Sequence, residues 1–129
     1  MLDTNIVSDL IGHPAGKVAQ YVAKIGDHGL VVSIVTADEL QYGAAKRGSA
    51  RLRQRVEAVL GQLPVIALDV PADVKYVDIR VALGAAGTPI GSKDLLIAAH
   101  AIAMGIPLVT ANIDQFTGIC NLVVENWLE

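Results

Sequence analysis

The sequence is poor in cysteine and in net positive charge, and each shortage limits the kinds of protein that the chain can be. With Cys120 as its single cysteine, the chain allows neither an intramolecular disulfide nor a cysteine-based zinc site. The apolar residues around Cys120 predict a buried small side chain rather than a catalytic thiol. A net charge of −3 and a pI of about 5.5 do not indicate nucleic-acid binding at the level of the whole chain.

Long hydrophobic runs are also missing, although 53% of the residues are hydrophobic and the mean hydropathy is +0.49. No apolar run approaches the roughly 18–20 residues that are needed to cross a bilayer. The first residues include acidic side chains where a signal peptide would have basic ones. We therefore expect a soluble, cytoplasmic protein that does not insert into a membrane. The surplus of apolar residues predicts a partner that covers part of the surface.

Short apolar runs alternate with longer segments of helical period, which is typical of a parallel sheet covered by helices. The 129 residues are enough for one hydrophobic core, and neither repeats nor linkers divide them. We therefore predict a single domain over residues 1–129 with an α/β fold, a three-layer α/β/α sandwich around a mostly parallel sheet. The expected strands are residues 1–3, 29–33, 65–70, 106–110 and 121–126. The expected helices are residues 6–11, 15–25, 36–47, 52–63, 74–83 and 94–104, followed by a short turn or helix through residue 116.

Several residues predict where these helices begin and end. Thr36 and Glu39 have the spacing of a capping box, in which each side chain hydrogen-bonds to the backbone of the other residue. Ser92 is placed to cap the long apolar helix that follows it. Gly48 is expected to interrupt the third helix, and Gly105 is expected to close the long apolar one.

Acidic residues lie near the ends of the predicted strands. Asp3 ends the first strand, Glu39 follows the second strand, and Asp94 opens a helix that could point the same way. In open α/β sheets, ligands bind beyond the carboxyl ends of the strands, so these carboxylates are expected to meet there. Three further polar residues follow the fourth strand, namely Thr110, Asn112 and Asp114.

Other catalytic chemistries lack their residues. The sequence has no glycine-rich loop of the P-loop or dinucleotide type, and no serine in a nucleophile elbow. The histidines share no metal-ligand spacing and are predicted to be structural: His13, His28 and His100. Carboxylates remain, and because like charges a few ångströms apart raise one another's pKa, their cluster favours a bound Mg²⁺ or Mn²⁺. Such a cation activates water for attack on a phosphodiester, so no protein nucleophile is needed.

Each acid also has an ordinary structural interpretation. Asp3 is placed to cap the first helix, as are the two residues that follow it. Glu39 completes the capping box with Thr36, and Asp94 is an acid of the kind that the helix macrodipole favours in a first turn. Residue types and spacing alone therefore leave both interpretations open, a metal site and three local structural roles.

Four segments follow one another over nearly the whole chain: LDTNIVSDLI, VVSIVTADELQYGA, GTPIGSKDLLIAAHAIAMG and LVTANIDQF. Together they resemble the VapC toxin branch of the PIN-domain family. The resemblance implies a PIN fold and an endoribonuclease that depends on Mg²⁺ or Mn²⁺ and cleaves structured RNA such as tRNA or rRNA. It also implies a toxin homodimer that is held inactive in a hetero-oligomer with a cognate, VapB-like antitoxin.

Carried over by position, the resemblance implies roles for individual residues. Asp3 and Asp94 match the acids that bind the metal directly. Glu39 matches an acid that holds the metal directly or through water, or that orients the attacking water. Thr110 matches a small hydroxyl residue that helps to position the site.

A basic cluster is the one local departure from the acidic balance of the chain, since half of the ten lysine and arginine residues lie between positions 46 and 55. One interpretation is a solvent-exposed helix face. The other is a ridge that contacts phosphates, and the resemblance favours RNA contact through Lys46, Arg47 and Arg51.

Two features depart from the pattern of the family. Asn112 stands where the family often has a fourth acid, and it offers an oxygen ligand without a charge. Asp114 is the other candidate for the fourth ligand, so a one-metal site is better supported than a two-metal site. Only Leu2 lies between the first residue and Asp3, whereas members of the family usually have a few more residues. We therefore expect a very short first strand and a weaker edge of the sheet.

Two other classes of function compete with the nuclease. A PIN scaffold that binds RNA or protein without cutting it is also consistent with Asn112 in place of an acid. A phosphoacceptor receiver domain places acids at strand ends as well. A receiver, however, needs an adjacent pair of acids early in the chain and a lysine after a late strand, and neither is in place.

Overall fold

The computed structural model describes residues 1–26 and 29–128, in which seven helices alternate with short strands. The helices are α1 (Thr4–Gly12), α2 (Lys17–Ile25), α3 (Ile34–Arg47), α4 (Ala50–Gln62), α5 (Ala72–Ala85), α6 (Ser92–Met104) and α7 (Ile113–Phe116). The strands are β1 (Val32–Ser33), β2 (Val65–Ile66), β3 (Leu108–Val109) and β4 (Val124–Glu125). The structural role predicted for His28 lies outside the described residues.

Leu2 occupies the centre of the sheet. It forms parallel bridges to Val32 of β1 on one side and to Val109 of β3 on the other. Because β2 pairs with β1 and β4 pairs with β3, the order is β2–β1–Leu2–β3–β4, and every pairing among the described residues is parallel. The chain builds one half of the sheet and then returns to build the other, so the strand order reverses beside Leu2. Such a reversal leaves a crevice at the carboxyl ends of the strands. Asp3, the residue that follows Leu2, lies at this crevice.

Side chains of the sheet alternate between two hydrophobic cores. Leu2, Val32 and Val109 pack with residues of helices α1 to α4, whereas Met1 and Leu108 pack on the other face with α5 and α6. Successive residues of a strand point to opposite faces, so a layer of helices covers each side of the sheet. The predicted α/β/α sandwich with a parallel sheet is therefore confirmed.

The strands are shorter than the sequence predicts. Each apolar run contributes two residues to a strand, and the first strand is reduced to Leu2. Main-chain hydrogen bonds nevertheless continue at the carboxyl edge, where the N–H of Asp3 donates to the carbonyl of Val109 at 2.8 Å and the N–H of Thr110 to that of Glu125 at 2.9 Å. The prediction of a weaker edge at the first strand is wrong, because Leu2 is paired on both sides.

The predicted start of α3 is also wrong. Ser33 is the N-cap, and its Oγ accepts a hydrogen bond from the N–H of Val35 at 3.1 Å. The helix therefore begins before Thr36, and Glu39 lies in its second turn. A capping box requires Thr36 at the N-cap, so this pair of residues cannot form one.

The other predicted helix ends have mixed outcomes. Gly91 is the N-cap of α6 and Ser92 is its first helical residue, so the predicted cap at Ser92 is wrong. Gly48 and Gly105 end α3 and α6 with φ values of 64° and 68°, and these two predictions are confirmed. Both glycines adopt the left-handed conformation that closes a helix and that other residues rarely adopt.

The surface contradicts one prediction from the sequence, at Cys120, and agrees with another, on helix α5. The prediction that Cys120 is buried is wrong, because it is exposed in the turn between α7 and β4. The surplus of apolar residues is visible on α5, where Val74, Val77 and Val81 are each more than half exposed. No helix within the two described ranges is both long and apolar enough to cross a bilayer.

Candidate active site

Asp3 lies where the strand order reverses, and it is only 2% exposed. Its Oδ1 accepts a hydrogen bond from the N–H of Thr4 at 2.8 Å and so caps α1. Its Oδ2 accepts a hydrogen bond from the hydroxyl of Thr110 at 2.7 Å. Burial raises the pKa of Asp3, and the two hydrogen bonds, which favour the ionised form, offset only part of that rise. Two donors therefore fix the orientation of a buried carboxylate.

Thr110 directly follows β3 and is fully buried. Its Oγ1 donates to Asp3 and accepts a hydrogen bond from the N–H of Asn112 at 3.0 Å. A second bond closes the same edge, because Oδ1 of Asn5 accepts from the N–H of Ala111 at 3.3 Å. The start of α1 and the loop after β3 are therefore held together at the position where Asp3 leaves the sheet.

Glu39 is bound to α1 rather than to its own helix. Its Oε1 accepts a hydrogen bond from the hydroxyl of Thr4 at 2.8 Å, and Oγ1 of Thr4 lies 3.3 Å from Oγ1 of Thr36. The capping-box interpretation of Glu39 is therefore wrong. Thr4 connects two acids, since it follows Asp3 in the chain and donates to Glu39. This role of Thr4 was not predicted from the sequence, in which the available signal was a hydroxyl residue directly after Asp3.

Asp94 lies in the first turn of α6. Burial raises its pKa, and the charges of Asp3 and Glu39 raise it further. A helix N-terminus by itself favours an ionised carboxylate, so the net rise means that burial and the neighbouring acids dominate. Three carboxylates from separate parts of the chain are therefore close enough for two of them to disfavour the ionised form of the third.

These carboxylates do not form a closed metal cage. Within residues 1–26 and 29–128, no group of three or more His, Cys, Asp or Glu side chains is arranged to hold a metal ion. Mg²⁺, however, commonly keeps several water ligands and binds through one or two carboxylates. The donor set consists of oxygens only, and a dication would relieve the repulsion that Asp94 experiences. The residues therefore fit a hard divalent cation whose remaining ligands are water.

Asn112 and Asp114 lie at the exposed start of α7. Asn112 is the N-cap, without a hydrogen bond from its side chain to the helix, and Asp114 is in the first turn. The acids whose charges raise the pKa of Asp94 are Asp3 and Glu39. A fourth ligand from Asn112 or Asp114 stays a prediction.

A salt bridge joins α3 to α6 immediately before the acids that these helices carry. Nζ of Lys93 lies 3.1 Å from Oδ2 of Asp38, and the two residues directly precede Asp94 and Glu39. Both side chains are largely exposed, so the pair contributes at most about 1 kcal/mol to stability. Its position nevertheless ties together the two helix turns from which these carboxylates project.

The basic cluster is split between the end of α3 and the start of α4. Arg47 and Arg55 line a cleft between α1, α3 and α4. Lys46 and Arg51 are exposed on other parts of the same two helices. Arg47 was predicted from the sequence and Arg55 was not, because the packing of α4 against α3 decides which face of α4 meets the cleft. RNA contact by Lys46, Arg47 and Arg51 stays a prediction.

A buried histidine connects α6 to the start of α3. His100 is 2% exposed, and its Nδ1 lies 2.8 Å from Oγ of Ser33. Ser33 Oγ also accepts a bond from the N–H of Val35, and the direction of its bond to Nδ1 depends on the tautomer of the imidazole. Burial lowers the pKa of His100, and a hydrogen bond to the backbone of Ala67 offsets part of that change. His100 therefore fastens the helix that carries one acid to the cap of the helix that carries another.

His100→Asn is expected to make stability less dependent on pH. A lowered pKa means that the folded state binds fewer protons at His100 than the unfolded state, whose pKa is near 6.5. The stabilisation is complete above that value and is lost as the pH falls below it. Asparagine can both donate to and accept from Ser33 and does not titrate. Urea unfolding between about pH 5 and 8 should therefore show a smaller loss in the variant. His13→Asn, at an exposed position, is the control, and identical pH profiles for wild type and His100→Asn would contradict the assignment.

Comparisons with known proteins cover almost the whole chain. The PIN domain model matches residues 1–120. Ribonuclease VapC2 of Rickettsia felis is 36% identical, over 98% of this chain and 96% of that protein. The tRNA(fMet)-specific endonuclease VapC of Salmonella typhimurium is 32% identical, over 98% of this chain and 96% of that protein. A chain in the crystal structure of Rickettsia felis VapBC2 bound to a promoter DNA fragment has a TM-score of 0.90 at 34% identity, over 98% of this chain and 97% of that one.

The chain therefore belongs to the PIN-domain family. Its similarity to VapC proteins extends over nearly their full length, so its place is among the VapC ribonucleases. The resemblance seen in the four sequence segments is confirmed, and the receiver-domain alternative is excluded. The metal-binding roles of Asp3, Glu39 and Asp94 remain predictions, and so does the positioning role of Thr110.

Proposed function

We propose that this chain is the toxin of a toxin–antitoxin pair and acts as an endoribonuclease that depends on Mg²⁺ or Mn²⁺. The proposal rests on three carboxylates at the carboxyl edge of the sheet, where Asp3 and Glu39 raise the pKa of Asp94. Asp3 and Asp94 would hold the cation together with water. Glu39 would act on it directly or through a water molecule.

The cation, when bound, promotes ionisation of water and balances the charge that develops on the phosphate. The chain's own groups orient the reactants. The hydroxyl of Thr4 donates a hydrogen bond to Oε1 of Glu39. The other oxygen, Oε2, is then left to accept a proton from the water that attacks phosphorus. The attack forms a new P–O bond, the bond to the departing ribose oxygen breaks, and that oxygen takes up a proton from solvent water. Thr110 holds the carboxylate of Asp3 in one orientation.

We propose a VapB-like antitoxin as the protein partner. The similar structures from Rickettsia felis and Salmonella typhimurium are VapBC assemblies, which supports a partner of the same kind here. Carboxylates at the sheet edge would attract a basic segment of such an antitoxin and allow it to block the site. The chain is also proposed to form a homodimer within the larger toxin–antitoxin oligomer.

A second function, binding without cleavage, is favoured by the donor geometry. In the part of the chain that the structure describes, no three acidic or histidine side chains are arranged to hold a metal ion. Asn112 also stands where the family often has a fourth acid. A PIN scaffold of this kind would bind RNA or protein and leave the RNA intact.

The purified protein is expected to cleave a tRNA(fMet) transcript with Mg²⁺ or Mn²⁺ and to lose that activity in EDTA. This substrate is chosen because the Salmonella relative is named for it. Total bacterial RNA is treated in parallel, and sequencing of new RNA ends identifies any other target. Equal cleavage in EDTA would contradict metal dependence. Intact RNA in every metal-containing reaction, with RNA binding retained, would instead establish the scaffold function.

A further inference from the structure

A cleft between α1, α3 and α4 extends from the candidate active site to the basic cluster, with a volume of about 540 Å³. Thr4 and Glu39 line it, so the cleft shares two residues with the site itself. Arg47 and Arg55 supply its positive charge. Its apolar lining comes from Ile11, Leu40, Leu52 and Val56. The cleft therefore combines an apolar surface with two cations and opens directly beside a candidate catalytic carboxylate.

The two arginines are available to an anionic ligand. Both are exposed, and neither forms a salt bridge with an acid in the described ranges of the chain. Arg53, in contrast, lies in an ion pair with Glu57 at 3.7 Å. A guanidinium that has no carboxylate partner is suited to bidentate binding of a phosphate.

We propose that this cleft binds the segment of substrate RNA next to the cleaved bond, with phosphates on Arg47 and Arg55 and a base or ribose on the apolar surface. The inference rests on the proposed function and adds the path of the substrate. Charge complementarity and continuity with Glu39 support RNA as the occupant. This assignment includes Arg47, one of the three basic residues predicted from the sequence to contact RNA, and adds Arg55.

The first test compares two double variants that each remove two positive charges. Arg47→Gln/Arg55→Gln removes the arginines of the cleft, and Lys17→Gln/Lys24→Gln, at two exposed lysines of α2, is the matched control. Binding of a tRNA(fMet) transcript is measured by fluorescence anisotropy over a series of salt concentrations. All proteins carry Asp94→Asn so that the RNA stays intact during the measurement.

The cleft variant is expected to bind RNA on the order of tenfold more weakly than its parent. The logarithm of the association constant falls with the logarithm of the salt concentration, and the steepness of this fall should decrease by about 1.5. The reason is that two phosphate contacts no longer release counterions. The control should keep the slope of its parent. An equal loss of affinity and slope in both variants would overturn the inference, because the RNA would then respond to charge in general rather than to the cleft.

Gly43 permits a second test that does not depend on charge. It lines the cleft within α3, and a Cβ added there meets no atom within 4 Å. Gly43→Leu would therefore fill part of the cleft and raise the melting temperature by roughly 4 °C, because leucine favours a helix more than glycine does. The KM for RNA cleavage should rise on the order of tenfold. Gly84→Leu in α5, where an added Cβ also meets no atom within 4 Å, should raise the melting temperature and leave KM unchanged.

The outcomes separate this inference from the function on which it rests. If the wild-type protein cleaves no RNA in metal, the proposed function fails, and the anisotropy measurement still decides the cleft. If the wild type cleaves RNA and Gly43→Leu does so with an unchanged KM, only the cleft assignment is wrong. Unchanged KM together with lost inhibition by a co-expressed VapB-like antitoxin would assign the cleft to a protein segment, and this result would also overturn the inference.

Discussion

Asp94→Asn is expected to reduce RNA cleavage by more than about 100-fold. Replacing a residue that only supports a metal ligand already lowers metal affinity or activity by about 10- to 100-fold, and Asp94 is proposed as a ligand itself. The same change should raise the melting temperature of the metal-free protein. Burial and the charges of Asp3 and Glu39 raise the pKa of Asp94, so its ionised form destabilises the fold at neutral pH. That penalty disappears as the pH falls and the carboxyl group is protonated. Asparagine removes it at every pH.

Asp73→Asn is the matched control, since Asp73 is an exposed acid in the first turn of α5. This variant should retain cleavage and lose about 0.3–1 kcal/mol, because it gives up an interaction with the helix macrodipole. Calorimetry with and without Mn²⁺ should show metal stabilisation of the wild type and of Asp73→Asn, but not of Asp94→Asn.

Asp3→Asn separates catalysis from stability at the same site. It should also lose cleavage, but without a gain in melting temperature, because asparagine has one acceptor oxygen for two donors, and the lost hydrogen bond offsets the relief of burying a charge. Undiminished cleavage by both Asp3→Asn and Asp94→Asn would contradict the metal site.

Thr110→Val is expected to lower metal affinity and cleavage by roughly 10- to 100-fold, although it changes no atom that is proposed to bind the metal. The hydroxyl of Thr110 donates to Oδ2 of Asp3 and accepts from the N–H of Asn112. Valine has the same shape and satisfies neither partner, so a buried carboxylate oxygen loses its donor. The free energy of unfolding should decrease by about 1–3 kcal/mol for the same reason.

Thr110→Ser and Thr117→Val serve as the two comparisons for this change. Serine restores the hydroxyl and should recover most of the Mn²⁺ affinity measured by calorimetric titration. Thr117 is exposed, and its hydroxyl donates to the backbone carbonyl of Asp114, so valine there should leave metal binding unchanged. If Thr110→Val loses stability but binds Mn²⁺ as the wild type does, Thr110 contributes to folding alone.

The helix ends show which features could be predicted from local sequence. Gly48 and Gly105 were predicted correctly, because a left-handed C-cap depends on the chemistry of one residue. The start of α3 was not, because Ser33 and Thr36 are both good N-caps by residue type. The position of Ser33 at the end of β1, together with its bond to His100, decides between them.

The candidate RNA contacts show the limit of sequence patterns more clearly. A cluster of lysine and arginine predicts positive charge in a region, but helices α3 and α4 each present several faces. Arg47 and Arg55 lie on opposite sides of the break at Gly48, and only the packing of the two helices brings them to one cleft. Helical periodicity does not continue through such a break, so spacing along the chain could not select this pair.

By itself, the sequence determined the alternation of strands and helices, the membership of the PIN-domain family and the identity of the three acids. These properties follow from the periodicity of hydrophobic residues, from residue type and from short sequence segments that can be recognised without the fold. Only the tertiary structure decided how the acids are held, with Thr110 bonded to Asp3 across 107 positions of the chain and Thr4 bonded to Glu39 across 35. Such bonds form where packed helices meet the edge of a sheet, and each local segment is compatible with several partners until the whole chain has folded.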